Sequence, residues 1–184
     1  KRQPLNQPHK ALYIPESVQR SLENLSADAI CLILSAQTDG KGQETQDSLS
    51  KEYTVSDCSS LIKLSGSGTS ISEMGNIPFG TKRVFYIYDI PTGKRRGSHA
   101  HKFCHEILIA VNGSFEVELD DGADKKTVTL DNPAYGLHIP PGIWAVEKNY
   151  SQDVICLVLA SDEYDPYNYI NAYSDFIKYR QNGN

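Results

Sequence analysis

The feature that most constrains this chain is a succession of short segments rich in β-branched and aromatic residues, each closed off by Gly, Pro, Asp or Asn. Arg83 to Ile90 (RVFYIYDI), Glu106 to Val111 (EILIAV), Ser114 to Leu119 (SFEVEL), Lys126 to Leu130 and Val154 to Ala160 (VICLVLA) each read as a strand. Asp120-Asp121-Gly122 supplies a hairpin turn, because Asp and Gly tolerate the positive φ angles of tight loops. So many short strands can bury their apolar faces only in a sandwich or a barrel. The chain is therefore expected to be mainly β.

Its end changes period. Asp165 can cap a helix with Pro166 in the first turn, and Tyr169, Ile170, Tyr173, Phe176 and Ile177 follow at helical spacing. An amphipathic C-terminal helix is expected, packed on the barrel or on a partner subunit.

With 184 residues and 39% hydrophobic content, the chain can fill one core but not comfortably two. Eighteen Lys and Arg against 23 Asp and Glu leave a net charge of −5, so no general field draws it to nucleic acid. The longest apolar runs are about five residues against the roughly 20 a bilayer span needs. A membrane role is not expected either. The four cysteines contain no C-x-x-C pair and read mostly as small buried thiols in a reducing, cytoplasmic setting.

An internal repeat organises the rest. Leu5 to Ala36 aligns without gaps onto Leu130 to Ser161 at an offset of 125, with 12 of 32 positions identical, including Ile14-Pro15 with Ile139-Pro140 and Ile30-Cys31-Leu32 with Ile155-Cys156-Leu157. Residues 1–36 are thus read as the closing strands of a partial, divergent copy. Either they belong to a tandem protein, or they complete a barrel within the chain or in a neighbour. Residues 37–56 have the polar composition of a linker, and 57–184 form the complete unit. Ser65-Gly66-Ser67-Gly68 lacks the spacing of a phosphate cradle and reads as a turn between strands.

Candidate chemistry gathers around Gly97-Ser98-His99-Ala100-His101. Residues i and i+2 of a strand share a face, so both imidazoles project to one side, which in a barrel can be the lumen. The wider spacing, Gly93-x5-His99-x-His101-x4-Glu106-x6-Gly113, is similar to the first motif of the cupin superfamily. That likeness implies a jelly-roll barrel, and in many cupins the two His and the Glu join a further His to hold a metal. Here Ala145 stands where the last ligand would be, so the expectation is no metal and no other cofactor, although two His and a carboxylate still make a facial triad. Without a metal the imidazoles suit general acid–base work near neutral pH. Lys94-Arg95-Arg96 is a local basic cluster, and Arg96 is the best placed of the three to meet a phosphate. Tyr86 and Tyr88 share a strand face and can offer phenols, or be ordinary core. Trp144, after a Pro-Pro-Gly turn, can wall a pocket or simply pack, and His138 lies on a probable strand whose face is open to either reading.

From about Leu64 onward the chain resembles the sugar-nucleotide 3,4-ketoisomerases. The matching stretches are N-I-P-F-x-x-K-R-V-F-Y-I (Asn76 to Ile87), R-G-S-H-A-H-K (Arg96 to Lys102), N-G-S (Asn112 to Ser114), L-D-x-P-A-x-G-L (Leu130 to Leu137) and S-x-D-V-I-C-L-V-L-A-S-D-E-Y-D (Ser151 to Asp165). The resemblance implies a cupin jelly-roll barrel with a C-terminal helix, acting in deoxysugar biosynthesis. Its substrate would be a dTDP-linked keto-deoxysugar, dTDP-4-keto-6-deoxyglucose, whose carbonyl moves from C4 to C3 through an enediol. It implies His99 and His101 as the general base and acid, in either order, with Tyr86 relaying a proton. Arg96, and more weakly Arg83 and Glu106, would bind substrate; Glu106 replaces the usual Gln. Tyr88, Trp144 and His138 complete the candidate substrate-binding set. A homodimer that exchanges N-terminal strands is expected, with one active site per chain. The alternatives are a 3,5-epimerase of the same substrate, a non-catalytic sugar-nucleotide-binding cupin, and a metal-dependent cupin oxygenase.

Overall fold

The computed structural model describes residues 4–7, 11–14, 18, 21–26, 29–34, 52–59, 61–67, 70–73 and 77–182. It divides into two units, Lys1–Leu34 and Ser35–Asn184. Among the described residues of the first unit there is no helix or strand, and most of its large apolar side chains are exposed. Most of the linker expected over 37–56 lies outside the described residues. Its last part is not linker, because Tyr53 and Val55 are buried in the core of the second unit. Two apolar residues in a polar stretch were invisible to a composition average.

The second unit is built from β1 (Leu61–Lys63), β2 (Ser65–Ser67), β3 (Ser70–Glu73), β4 (Arg83–Ile87), β5 (Arg96–His101), β6 (Glu106–Asn112), β7 (Phe115–Asp120), β8 (Lys125–Leu130), β9 (Tyr135–Ile139), β10 (Trp144–Lys148), β11 (Ile155–Ala160), β12 (Tyr169–Ile170) and α1 (Tyr173–Gln181). Two antiparallel sheets face each other, ordered β1-β9-β6-β11-β4 and β12-β5-β10-β7-β8, while β2 and β3 form a separate hairpin. This is the expected jelly-roll arrangement.

Alternation decides which side chains fill the lumen. In β7, Phe115, Val117 and Leu119 are buried and enter the central cluster with Leu108, Ala110, Leu137, Ile139 and Val158, while Glu116 and Glu118 face outward. The turn after it forms as expected: Gly122 has φ 92°, and Asp121 Oδ1 accepts from the backbone N–H groups of Ala123 and Asp124. β6 departs from alternation, since Ile107 and Ile109 are also buried, in a second cluster on the outer face with Leu64, Phe79, Leu157 and Leu159. Where β9 crosses that strand, a side chain at Gly136 would meet Ile107 Cγ2 at 2.6 Å.

The C-terminal segment differs from the uninterrupted helix expected. Asp165 does cap a turn, its side chain accepting from the Tyr167 N–H, but that turn is a single 3-10 turn over Pro166–Asn168. Tyr169 and Ile170 then leave the helical path and pair with His101 and Ala100 of β5. The edge of β5 offers open backbone hydrogen bonds, and these outweigh a helical period that local sequence alone suggests. The helix proper packs Phe176, fully buried, against Trp144 at 5.6 Å between ring centres.

Candidate active site

The two histidines owe their orientation to a bulge. Ala145 pairs with His99 and Val146 with Gly97, leaving Ser98 as an extra residue in β5. Gly97 (φ 67°) and Ser98 (φ 59°) are both left-handed there, and a side chain at Gly97 would come 2.8 Å from the Ala145 carbonyl oxygen. The bulge resets the alternation of the strand. As a result His99 and His101 turn inward, on the face of β10 that carries Ala145 and Glu147.

Inside, the imidazoles meet edge to face with ring centres 5.0 Å apart. Glu106, at the start of β6, brings Oε1 to 3.4 Å from His101 Nε2. Arg83, at the start of β4, places one guanidinium nitrogen 3.6 Å from the same carboxylate oxygen and donates from another to the Tyr169 hydroxyl at 3.2 Å. The Tyr169 ring lies 4.9 Å from that of His99 and 4.3 Å from that of His101. Five side chains from β4, β5, β6 and β12 thus close a ring of contacts at one end of the barrel.

The electrostatics of this ring follow from its burial. Burial, then the neighbouring His101, pushes the His99 pKa below its ordinary value, so its neutral form is favoured. For Glu106 burial works the other way, but His101, His99 and Arg83 together overrule it and hold the carboxyl below the usual range. Burial raises the Tyr169 phenol, with Arg83 opposing. Both ring nitrogens of His101 and Nε of Arg83 are buried without a hydrogen-bond partner. Buried polar atoms rarely stay unpaired, so these point to groups that a ligand would satisfy.

A metal, the usual guest of such a barrel, was tested against this donor set. One donor atom each from His99, His101 and Glu106 lie within 4.8 Å of one another. However, the carboxylate is already paired with a guanidinium, and the neighbouring lumen position is Ala145, which offers no donor. The set fits a divalent ion poorly, because a cation here would sit beside Arg83.

The remaining candidates divide by face. Arg83, Phe85 and Ile87 of β4 point to the lumen, which puts Tyr86, paired in register with the outward Leu157, on the opposite face with Tyr88. Both tyrosines are half-exposed there, 5.5 Å apart. Trp144 also faces outward, beneath α1, between Tyr173 and Phe176. His138 lies on the outer side of β9 and meets His105 through ring nitrogens 2.9 Å apart, with Phe79 beside both. Alternation shows which residues share a face but not which face is the lumen; for these four both readings were open, and they lie on the outer face. Arg96 is exposed at the start of β5, opposite Glu147. Two lumen groups were missed. Tyr169 was read as helix packing, and Glu147 accompanies Tyr150, whose hydroxyl donates to it at 2.6 Å. The strand period of Trp144 to Lys148 would have revealed Glu147; no local signal reveals Tyr169.

Two adjoining imidazoles in a largely buried pocket, one with both nitrogens unpartnered and backed by a carboxylate, are equipped to move protons. Fold and site together define a cupin-type barrel enzyme of the acid–base kind. The chain belongs to the FdtA family, WxcM-like, C-terminal, whose model matches residues 51–181. It is 44% identical over 128 residues to the TDP-4-oxo-6-deoxy-alpha-D-glucose-3,4-oxoisomerase of Aneurinibacillus thermoaerophilus, covering 70% of this chain and 92% of that one. Among solved structures it is similar to QdtA, a sugar 3,4-ketoisomerase from Thermoanaerobacterium thermosaccharolyticum in complex with TDP (33% identity, TM-score 0.63, 67% of this chain and 94% of that one). It is also similar to WlaRA, a TDP-fucose-3,4-ketoisomerase from Campylobacter jejuni (39% identity, TM-score 0.61, 66% and 93%).

Proposed function

We propose that the chain converts dTDP-4-keto-6-deoxyglucose to its 3-keto isomer. The single observation that carries this reading is the pair of inward imidazoles, one of them buried with both nitrogens unpartnered beside Glu106. Family membership supplies the substrate class.

The reaction moves two protons, one from C3 to C4 and one from O3 to O4. His101, its Nε2 3.4 Å from the Glu106 carboxylate, takes the C3 proton; the electrons of that bond form the C3=C4 double bond, and O4 receives a proton. His99, kept neutral by burial, carries the proton lost by O3 to O4. Delivery of a proton from His101 to C4, after the imidazole has exchanged with solvent, leaves the carbonyl at C3. Tyr169 and Arg83 hold Glu106 and the rings in place. Arg96, at the exposed rim of β5, receives the diphosphate.

The homodimer belongs to this proposal. β4 is left at the edge of its sheet and the β2–β3 hairpin joins neither sheet, which are the loose ends that a strand exchange would unite.

Incubation with the substrate in D2O should give a 3-keto product carrying deuterium at C4, with none at C5. Label at C5 would identify an epimerase instead. His101→Asn should lose exchange at C3 while retaining dTDP; turnover unaffected by that change would overturn the assignment.

A further inference from the structure

Glu147 is a buried carboxyl inside the barrel that the reaction above does not use. It is 7% exposed and lies two residues on from Ala145, on the face of β10 that packs toward the central cluster. The Tyr150 hydroxyl donates to its Oε2 at 2.6 Å. That phenol is itself pinned, because its ring stacks on the fully buried Phe115 with centres 5.4 Å apart. The other oxygen, Oε1, lies against the bulge of β5: a Cβ placed on Gly97 would stand 3.6 Å from it. Gly97 is a left-handed residue of that bulge, and the His99 ring is hydrogen-bonded to its backbone. An acid clamped by a phenol thus underlies the stretch of backbone that aims an active-site imidazole. A carboxyl at this depth costs stability that an apolar side chain would not, so its presence calls for a task.

We propose that Glu147, held by Tyr150, is a positioning residue for His99 and seats the bulge of β5 from inside the barrel. The inference rests on the acid–base role given to the imidazoles above.

The carboxyl does this in its neutral form. Burial raises its pKa above the ordinary 4.5; the Tyr150 hydrogen bond opposes, Glu106 adds to burial, and Arg96 opposes least of the four. The groups facing it are Arg96 and Gly97 of β5, Glu106 of β6, Cys156 of β11 and Tyr150 of the loop after β10, while β7 pairs Val117 with it. Once ionised, the carboxylate is repelled by Glu106 and drawn to Arg96, its register partner on β5, and both effects pull it off Gly97. Turnover therefore falls as pH rises through the Glu147 titration.

The test uses the full chain, with dTDP-4-keto-6-deoxyglucose for kinetics and without substrate for NMR of the His99 ring. Glu147→Ala should lower kcat about tenfold with KM changed by less than about twofold, and the neutral isostere Glu147→Gln should restore kcat. Equal kcat in these two variants would overturn the proposal. Across pH, the native chain should lose kcat on the alkaline side and Glu147→Gln should not. Tyr150→Phe, which removes a bond that lowers the Glu147 pKa, should move that loss to higher pH. An alkaline loss that persists unchanged in Glu147→Gln would also overturn the proposal. The His99 ring resonances should shift in Glu147→Ala and return to their native positions in Glu147→Gln. Native resonances in Glu147→Ala would refute the positioning role whatever reaction the barrel performs, whereas a native chain that leaves this substrate unchanged would refute the reaction alone.

Discussion

At the scale of single residues, Tyr169 and Arg83 act on the histidines through contact geometry, so their removal should cost turnover more than binding. Tyr169→Phe deletes the hydroxyl that accepts from Arg83, and Arg83→Gln frees Glu106; each should lower kcat by about 10²-fold with little change in KM. Tyr86→Phe, on the outer face, should leave kcat unchanged, which steady-state kinetics on the three variants would check. His99 should titrate below its ordinary 6.5, because burial and His101 disfavour its charged form. Glu106 favours that form, so Glu106→Gln should move the His99 midpoint lower still in an NMR titration. Glu147 behaves oppositely to Glu106: burial raises its pKa, with the Tyr150 hydrogen bond opposing. A carboxyl with a raised folded-state pKa contributes stability below its unfolded value, and that contribution is lost as pH rises through the folded one. Glu147→Gln should therefore raise Tm relative to the native chain increasingly from pH 4.5 upward, as thermal melts across pH would show.

At the scale of elements, the bulge in β5 is the device on which the site depends. Gly97→Ala meets both a positive φ and a 2.8 Å approach to the Ala145 carbonyl oxygen. It should cost at least about 1–2 kcal/mol by denaturant unfolding, and disturb kcat further by turning the imidazoles. Much of this level was legible beforehand. The strands over Arg83, Glu106, Ser114, Lys126 and Val154 lie close to where alternation placed them, and the Asp120-Asp121-Gly122 turn formed for the reason given. The two-residue strand of Tyr169 and Ile170 was not legible. Its hydrogen bonds are made to a strand nearly 70 residues earlier, and nothing in its local period records that pairing.

At the scale of the whole molecule, the helix packs on the outside of the barrel through a cluster of its own, built from Ala100, Trp144, Val146, Ile170 and Phe176. Trp144, the first residue of β10, has Tyr173 and Phe176 of α1 against it, so its fluorescence reports helix docking and barrel integrity together. Unfolding followed by Trp144 should coincide with loss of β-sheet circular dichroism; separate transitions would mean the helix undocks alone. Phe176→Ala should cost about 3–5 kcal/mol in that transition.

The sequence by itself determined a β-barrel, two histidines on one face of one strand, and a repeat of residues 130–161 within residues 5–36. These are properties of short-range period, turn chemistry and self-similarity, which a linear chain carries openly. Only the tertiary structure decided which face of β4 is the lumen, that Arg83 rather than Tyr86 reaches the carboxylate, and that Tyr169 stands against both imidazoles. Those facts depend on which strands pair across long separations, and a period of two leaves the choice of inner face undetermined until the two sheets close on each other.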